Sequence, residues 1–196
     1  MKKIVFTGGN GRFCKEFKKI KNNYNVNYPN KKELNILNLS SIKNYIGKIK
    51  RDYFIHCAAL SRPMSIHERN IIQSINTNIV GTSNVVIACA EKKIKLIYFS
   101  TGYVYQGTKG NYKEEDPVLP INNYAWSKLG GESAVQMYKN SLILRVCMTE
   151  KPFLHKKAFA NVKLNFIFHD EIAKILLKLL NKRGVINVGG NIQYFN

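Results

Sequence analysis

At 196 residues, the chain has the length of one domain with one sizeable core. Apolar residues make up 45% and aromatics 11%, which excludes a disordered chain, and no apolar run approaches the roughly 18 residues of a membrane span. The formal charge of +19 raises nucleic acid as a partner, but the lysines are scattered in ones and twos with no nucleic-acid-binding motif, so the charge is read as attraction for small anions such as nucleotides.

The first segment, MKKIVFTGGNG, starts basic and then apolar, as a secretory signal does. Its apolar stretch, Ile4 to Phe6, is too short for one and meets a glycine turn, so Lys2–Thr7 is predicted as a strand and the protein as cytoplasmic. A helix to about Lys21 follows, then a strand over Tyr24–Tyr28. Ser40 or Ser41 can cap a short helix reaching about Lys50. Tyr53–Cys57 predicts a third strand, Ile71 to Glu91 a helix, and Lys95–Ser100 a fourth strand. After a loop with Gly107, Gly110, Pro117 and Pro120 comes a helix bearing Tyr124 and Lys128. Leu142–Val146, Lys163–Phe168 and Val185–Val188 are further strands, with a helix over His169–Leu180. Strands alternating with helices imply an α/β fold, a Rossmann-like doubly wound parallel sheet. No linker divides the chain, so residues 1–196 are taken as one domain.

Cys14, Cys57, Cys89 and Cys147 are widely separated, with no C-x-x-C and no zinc-finger spacing, and are expected to be buried free thiols. His56, His67, His155 and His169 show no ligand spacing and are read as structural or solvent-facing. The trio Glu114-Glu115-Asp116 is read as a solvated loop. No metal site is expected.

Two features carry chemistry. Gly8, Asn10 and Gly11 lie where the first strand meets a helix, where backbone N–H groups can hold a pyrophosphate. Cys14 stands where the usual fingerprint has its third glycine. No carboxylate ends the second strand; Asn27, Asn30, Lys31 and Lys32 occupy that region, which leans the cofactor toward NADP over NAD. The second feature is Tyr124 and Lys128, four positions apart and so on one helix face. Tyrosine titrates near ~10, and a neighbouring cation lowers that value toward one useful for proton exchange.

The segments TGGNGR (7–12), FIHCAAL (54–60), NIVGTSNVV (78–86), 96–132 and LILRV (142–146) resemble the extended short-chain dehydrogenase/reductase superfamily, and within it the dTDP-4-dehydrorhamnose reductase group. The resemblance implies NAD(P) as cofactor and a 4-keto sugar nucleotide as substrate. It implies that Thr101 bonds the substrate carbonyl, that Tyr124 supplies a proton, and that Lys128 holds the nicotinamide ribose and depresses the phenol's pKa. Gly11, Arg12 and Phe13 would meet the pyrophosphate; Cys57, Ala58 and Ala59 would line the cofactor's path; Asn35 and Ile36 would lie near the adenine. Asn78, of the N-x-x-G-T motif, would prop a strand–helix junction.

The chain departs from that group at substrate-contact positions. Gly102 stands where the group has aspartate, and Met148 where it has tryptophan. The chain is also shorter, and about 147–168 is read as the remnant of a reduced C-terminal substrate lobe. A missing lobe would admit completion by a second copy, as a homo-oligomer. The same centre could serve an epimerase or dehydratase. The superfamily also includes a regulatory subunit of methionine adenosyltransferase, so a non-catalytic NAD(P)-binding subunit is the alternative of another class.

Overall fold

The computed structural model describes residues 1–48, 51–152 and 165–190. Strands β1 (Lys3–Thr7), β2 (Asn25–Asn27), β3 (Tyr53–His56), β4 (Lys95–Ser100), β5 (Ser141–Val146) and β8 (Gly184–Val188) form one parallel sheet in the order β2-β1-β3-β4-β5-β8. A small parallel pair, β6 (Met148–Thr149) with β7 (Ile167–Phe168), stands apart from it. The order reverses between β1 and β3, and in open α/β sheets the crevice beyond the carboxyl ends of such strands is where ligands bind.

Alternation along the strands builds two apolar layers. Ile4 and Phe6 of β1, Ile97 and Phe99 of β4, and Leu142 and Leu144 of β5 face α1 (Arg12–Lys18) and α7 (His169–Leu179). Val5, Phe54, Leu96, Tyr98 and Ile143 face the other way, toward α2 (Leu39–Gly47), α5 (Gly81–Glu91) and α6 (Asn123–Gln136). Each such side chain fully withdrawn from water contributes about 1.5–3 kcal/mol, which is what holds the layers to the sheet.

Several predicted elements are adjusted. The first helix stops at Lys18, where the Lys19 N–H turns to the Glu16 carbonyl instead of continuing the α pattern. The cap of α2 is Asn38, not Ser40 or Ser41: its side chain accepts from the Ser41 N–H at 3.0 Å. Part of the predicted Lys163–Phe168 strand, like His155 and much of the 147–168 segment read as a lobe remnant, lies outside the described residues.

The helix expected from Ile71 to Glu91 is continuous and contains a wider π-turn over Asn76–Val80 between α4 (Ile71–Ile75) and α5, with a short α3 (Ile66–Arg69) ahead of it. Helical periodicity in the sequence is blind to this wider turn. The hydroxyls of Thr82 and Ser83 donate to the carbonyls four residues back, those of Asn78 and Ile79, at 2.8 and 3.0 Å. Asn78 points inward: its Oδ1 accepts from the Leu60 N–H at 2.8 Å, and its Nδ2 donates to the Leu60 carbonyl and Ser127 Oγ, each at 2.9 Å. It ties the segment leaving β3 to helix α6, as its motif suggested.

Candidate active site

Parallel register places the site. Thr7 pairs with His56, and Ser100 with Arg145, so Gly8, Cys57, Thr101 and the residues after Arg145 leave the sheet along one edge. Gly8 has φ of 80°, and a β-carbon there would stand 3.0 Å from the Ala58 nitrogen and 3.1 Å from the Cys57 carbonyl carbon. The Gly11 N–H closes the turn on the Gly8 carbonyl at 2.7 Å. Glycine is required here because two backbones meet across the switch point, and the small Cys57, Ala58 and Ala59 continue the same open floor. The donors of this turn and that floor fit a dinucleotide phosphate.

Of the other residues assigned to the cofactor, Asn10 and Arg12 are exposed. Phe13 is buried against Phe99, with ring centroids 5.0 Å apart, so only its backbone can meet a ligand. Cys14 packs into the core as the fingerprint glycine would, and burial raises its thiol to about 11. Asn35 uses its side-chain oxygen on the Leu37 N–H, and Ile36 packs on Gly81 at the start of α5.

Helix α6 begins at the cap Asn122, whose Oδ1 accepts from the Ala125 N–H at 2.8 Å, and so sets Tyr124 and Lys128 facing the ends of β3 and β4. Lys128 is 3% exposed, with its Nζ 4.2 Å from the centre of the Tyr98 ring. Burial brings its ammonium down to about 8, against the upward pull of Cys57 and Glu132. The phenol of Tyr124 is pushed above the ordinary tyrosine range, first by burial and then by the Cys147 thiol; a hydrogen bond with the Thr101 side chain acts the other way. The expected lowering by Lys128 is therefore not the outcome in this structure. Loss of solvent sets the direction, the Lys128 ammonium lies over the Tyr98 ring instead, and the phenol is a neutral proton donor at neutral pH.

Thr101 is 2% exposed and opens a 3₁₀ turn over Gly102–Val104. Its oxygen accepts from the Tyr103 N–H at 3.2 Å, so strand-end capping and contact with Tyr124 are the same hydroxyl's work. The two alternating tyrosines after it divide their roles. Tyr103 meets the Tyr124 ring edge-on at 6.4 Å, whereas Tyr105 turns away to accept from Arg145 Nη1 at 2.6 Å. Arg145 also donates to the Glu132 carboxylate at 2.7 and 3.0 Å, a buried pair that Ser100 completes from the Glu132 side. In the acidic loop, Glu114 accepts from the Asn187 N–H at 2.8 Å, and Asp116 binds Lys109.

Cys57 and Cys147 are only partly buried, unlike Cys14 and Cys89, and both lie at the site rather than in the core. Met148, also partly buried, begins β6. Three groups here had no signal in the sequence. His67, fully buried, packs its ring 5.1 Å from that of Tyr124 and meets Ser74 Oγ at 2.7 Å. Glu150 reaches both Arg12 and Arg62, and His169 lies beside all three. Their separations in sequence are too long for any local pattern to pair them.

Residues 1–167 match the family described as the RmlD substrate binding domain. The chain belongs to that family. It is 36% identical to the methionine adenosyltransferase 2 subunit beta of Xenopus laevis over 114 residues, 58% of this chain and 34% of that protein. It is 26% identical to the dTDP-4-dehydrorhamnose reductase of Aggregatibacter actinomycetemcomitans over 193 residues, 96% of this chain and 60% of that protein. The chain thus spans between a third and three fifths of the length of these relatives. Among solved structures, the dTDP-4-dehydrorhamnose reductase of Bacillus anthracis in complex with NADP superposes with a TM-score of 0.86 at 26% identity, covering 96% of this chain and 75% of that one. The six-stranded parallel sheet of this RmlD-family chain is the Rossmann-like sheet of that reductase.

Proposed function

We propose that the chain binds NAD(P) in the crevice between the ends of β1 and β3 and reduces the 4-keto group of a sugar nucleotide. The observation that carries this reading is the convergence of buried Thr101, at the end of β4, with Tyr124 and buried Lys128 on α6, one strand away from the glycine turn. When bound, the nicotinamide would supply the hydride.

The residues then have distinct tasks. The turn from Gly8 to Phe13 holds the pyrophosphate through backbone N–H groups, and Cys57, Ala58 and Ala59 leave room for the rest of the cofactor. Thr101 orients the carbonyl oxygen, and Tyr124 gives up its Oη proton to the alkoxide forming there. A phenol held neutral by burial carries the proton that reduction of a carbonyl requires. Lys128 holds the ribose hydroxyls and offsets the charge left on the phenolate. Asn27, where NAD-specific sites place a carboxylate, favours NADP. The likeness to the NADP-bound Bacillus anthracis reductase supports this reading. Turnover of 4-keto sugar nucleotides, followed by nicotinamide absorbance with NADPH and NADH, tests it; no consumption of either cofactor across the substrate panel would refute it.

A non-catalytic NAD(P)-binding subunit is the second reading. It is favoured by the likeness to the Xenopus laevis subunit and by Gly102 and Met148, which present no carboxylate or indole to a sugar. Cofactor binding without turnover would select it.

A further inference from the structure

Glu150 follows β6, directly beyond the end of the sheet, and its carboxylate sits between two guanidinium groups from elsewhere in the chain. Arg12, in the glycine turn, holds Oε1 through Nε at 2.8 Å. Arg62, on the segment leaving β3, reaches both oxygens through Nη1 at 3.3 Å. These arginines come from the two loops that flank the switch point, so the carboxylate lies at the mouth of the crevice. Its side chain is 13% exposed, while those of Arg12 and Arg62 are 47% and 34% exposed. The cations are thus open to an incoming anion from the solvent side.

A second observation points the same way. His169, at the start of α7, is 6% exposed and packs edge-on against Phe13 at 5.9 Å. Its Nδ1 is buried with no hydrogen-bond partner, and the ring is electrostatically coupled to Glu150, Arg12 and Arg62 together. A buried polar atom without a partner costs about 1–3 kcal/mol, a cost that a ligand reaching this ring would remove. Lys151, the next residue, is engaged with Asp170 and Glu171 and does not neutralise Glu150.

A carboxylate between two guanidiniums makes the contacts a phosphate oxyanion makes, with fewer oxygens and less charge. We propose that Arg12 and Arg62 form a diphosphate subsite whose internal occupant is Glu150, and that a diphosphate-bearing ligand binds by displacing this carboxylate. The geometry makes Glu150 a latch: it keeps two cations paired when no ligand is bound and sets a cost on every anion that enters. The diphosphate could belong to a dinucleotide or to the nucleoside diphosphate of a sugar nucleotide. Only that choice rests on the proposed function.

The test is calorimetric titration of the wild-type chain, Glu150→Gln and Glu150→Gln/Arg62→Gln with NADPH, dTDP and inorganic pyrophosphate. Glu150→Gln is expected to tighten binding by about tenfold, the scale of one charge-assisted contact, and the added Arg62→Gln to abolish that gain. A gain confined to NADPH assigns the subsite to the dinucleotide; one confined to dTDP assigns it to the sugar nucleotide; either supports the subsite. Unchanged or weaker binding by Glu150→Gln for all three probes would overturn it. NADPH binding that persists while NADPH, dTDP and pyrophosphate all bind wild type and variant equally would sink the latch and leave the reductase reading standing. A gain for pyrophosphate and dTDP, with no NADPH or NADH binding by any form, would do the reverse. Should Glu150→Gln not fold, a crystal of the wild-type chain grown with pyrophosphate decides: Glu150 must have left both arginines, and a carboxylate still bound to them refutes the proposal.

Discussion

The Sγ of Cys147 stands 3.0 Å from the point that a β-carbon on Gly102 would occupy. The two residues are complementary: the thiol of one fills the space that the missing side chain of the other leaves. Burial raises this thiol, and the neighbouring Gly102 N–H and Thr101 side chain act the other way. Gly102 is thus bound up with a neighbour that packs where a side chain on it would begin.

Gly102→Asp is expected to destabilise the chain by about 1–3 kcal/mol, because the new side chain meets a sulfur with little room to move. Combined with Cys147→Ala, most of that loss should return. Thermal melting of the two single variants and the double variant gives the coupling directly; additive effects would mean that the thiol does not oppose the side chain.

Tyr124→Phe should retain the fold and cofactor affinity, since the ring's contacts with His67 and Tyr103 are kept. Turnover should fall by at least about 10²-fold, the usual worth of a positioned proton donor. Binding and rate measured on the same preparation separate the two effects.

Lys128 gives a stability effect with a defined pH window. The native chain releases this proton near pH 8 and the unfolded chain near 10.5. Between those values the unfolded chain holds more proton, so stability rises with pH, and the penalty for the buried ammonium is fully present below pH 8. Lys128→Met should therefore be more stable than wild type at pH 7, by up to about 3 kcal/mol. The gap should close as pH approaches 10.5. Melting curves of both proteins from pH 7 to 10 read this out, and a gap that widened with pH would contradict it.

Arg145 and Glu132 are 4% and 0% exposed at their side chains. Glu132→Ala leaves the guanidinium buried with only Tyr105 and the Glu114 carbonyl as partners. The expected cost is about 3–5 kcal/mol, measurable by denaturant unfolding. Replacing both residues by apolar groups of similar size, as Glu132→Leu/Arg145→Met, should cost far less.

What local pattern can carry was legible in the sequence. The glycine turn after β1, the small residues after β3 and the four-residue spacing of Tyr124 and Lys128 all follow from short-range rules. So does the alternation that separates Ile4 and Phe6 from Val5 across the sheet. The helix over 71–91 was legible, but its widening to a π-turn at Asn76–Val80 was not, because the hydroxyls of Thr82 and Ser83 and the inward amide of Asn78 leave apolar spacing nearly untouched.

The sequence by itself determined the parallel α/β architecture, the glycine turn after the first strand and the shared helix face of Tyr124 and Lys128, because strand and helix periods and glycine's backbone freedom are encoded within a few neighbouring residues; Thr101 joined them through the family resemblance. Only the tertiary structure decided the direction in which Tyr124 and Lys128 titrate, since that depends on solvent removed by distant segments. It also decided that Cys147 fills the void at Gly102 and that Glu150 lies between Arg12 and Arg62. Those contacts join residues dozens of positions apart, and chain folding alone brings them together.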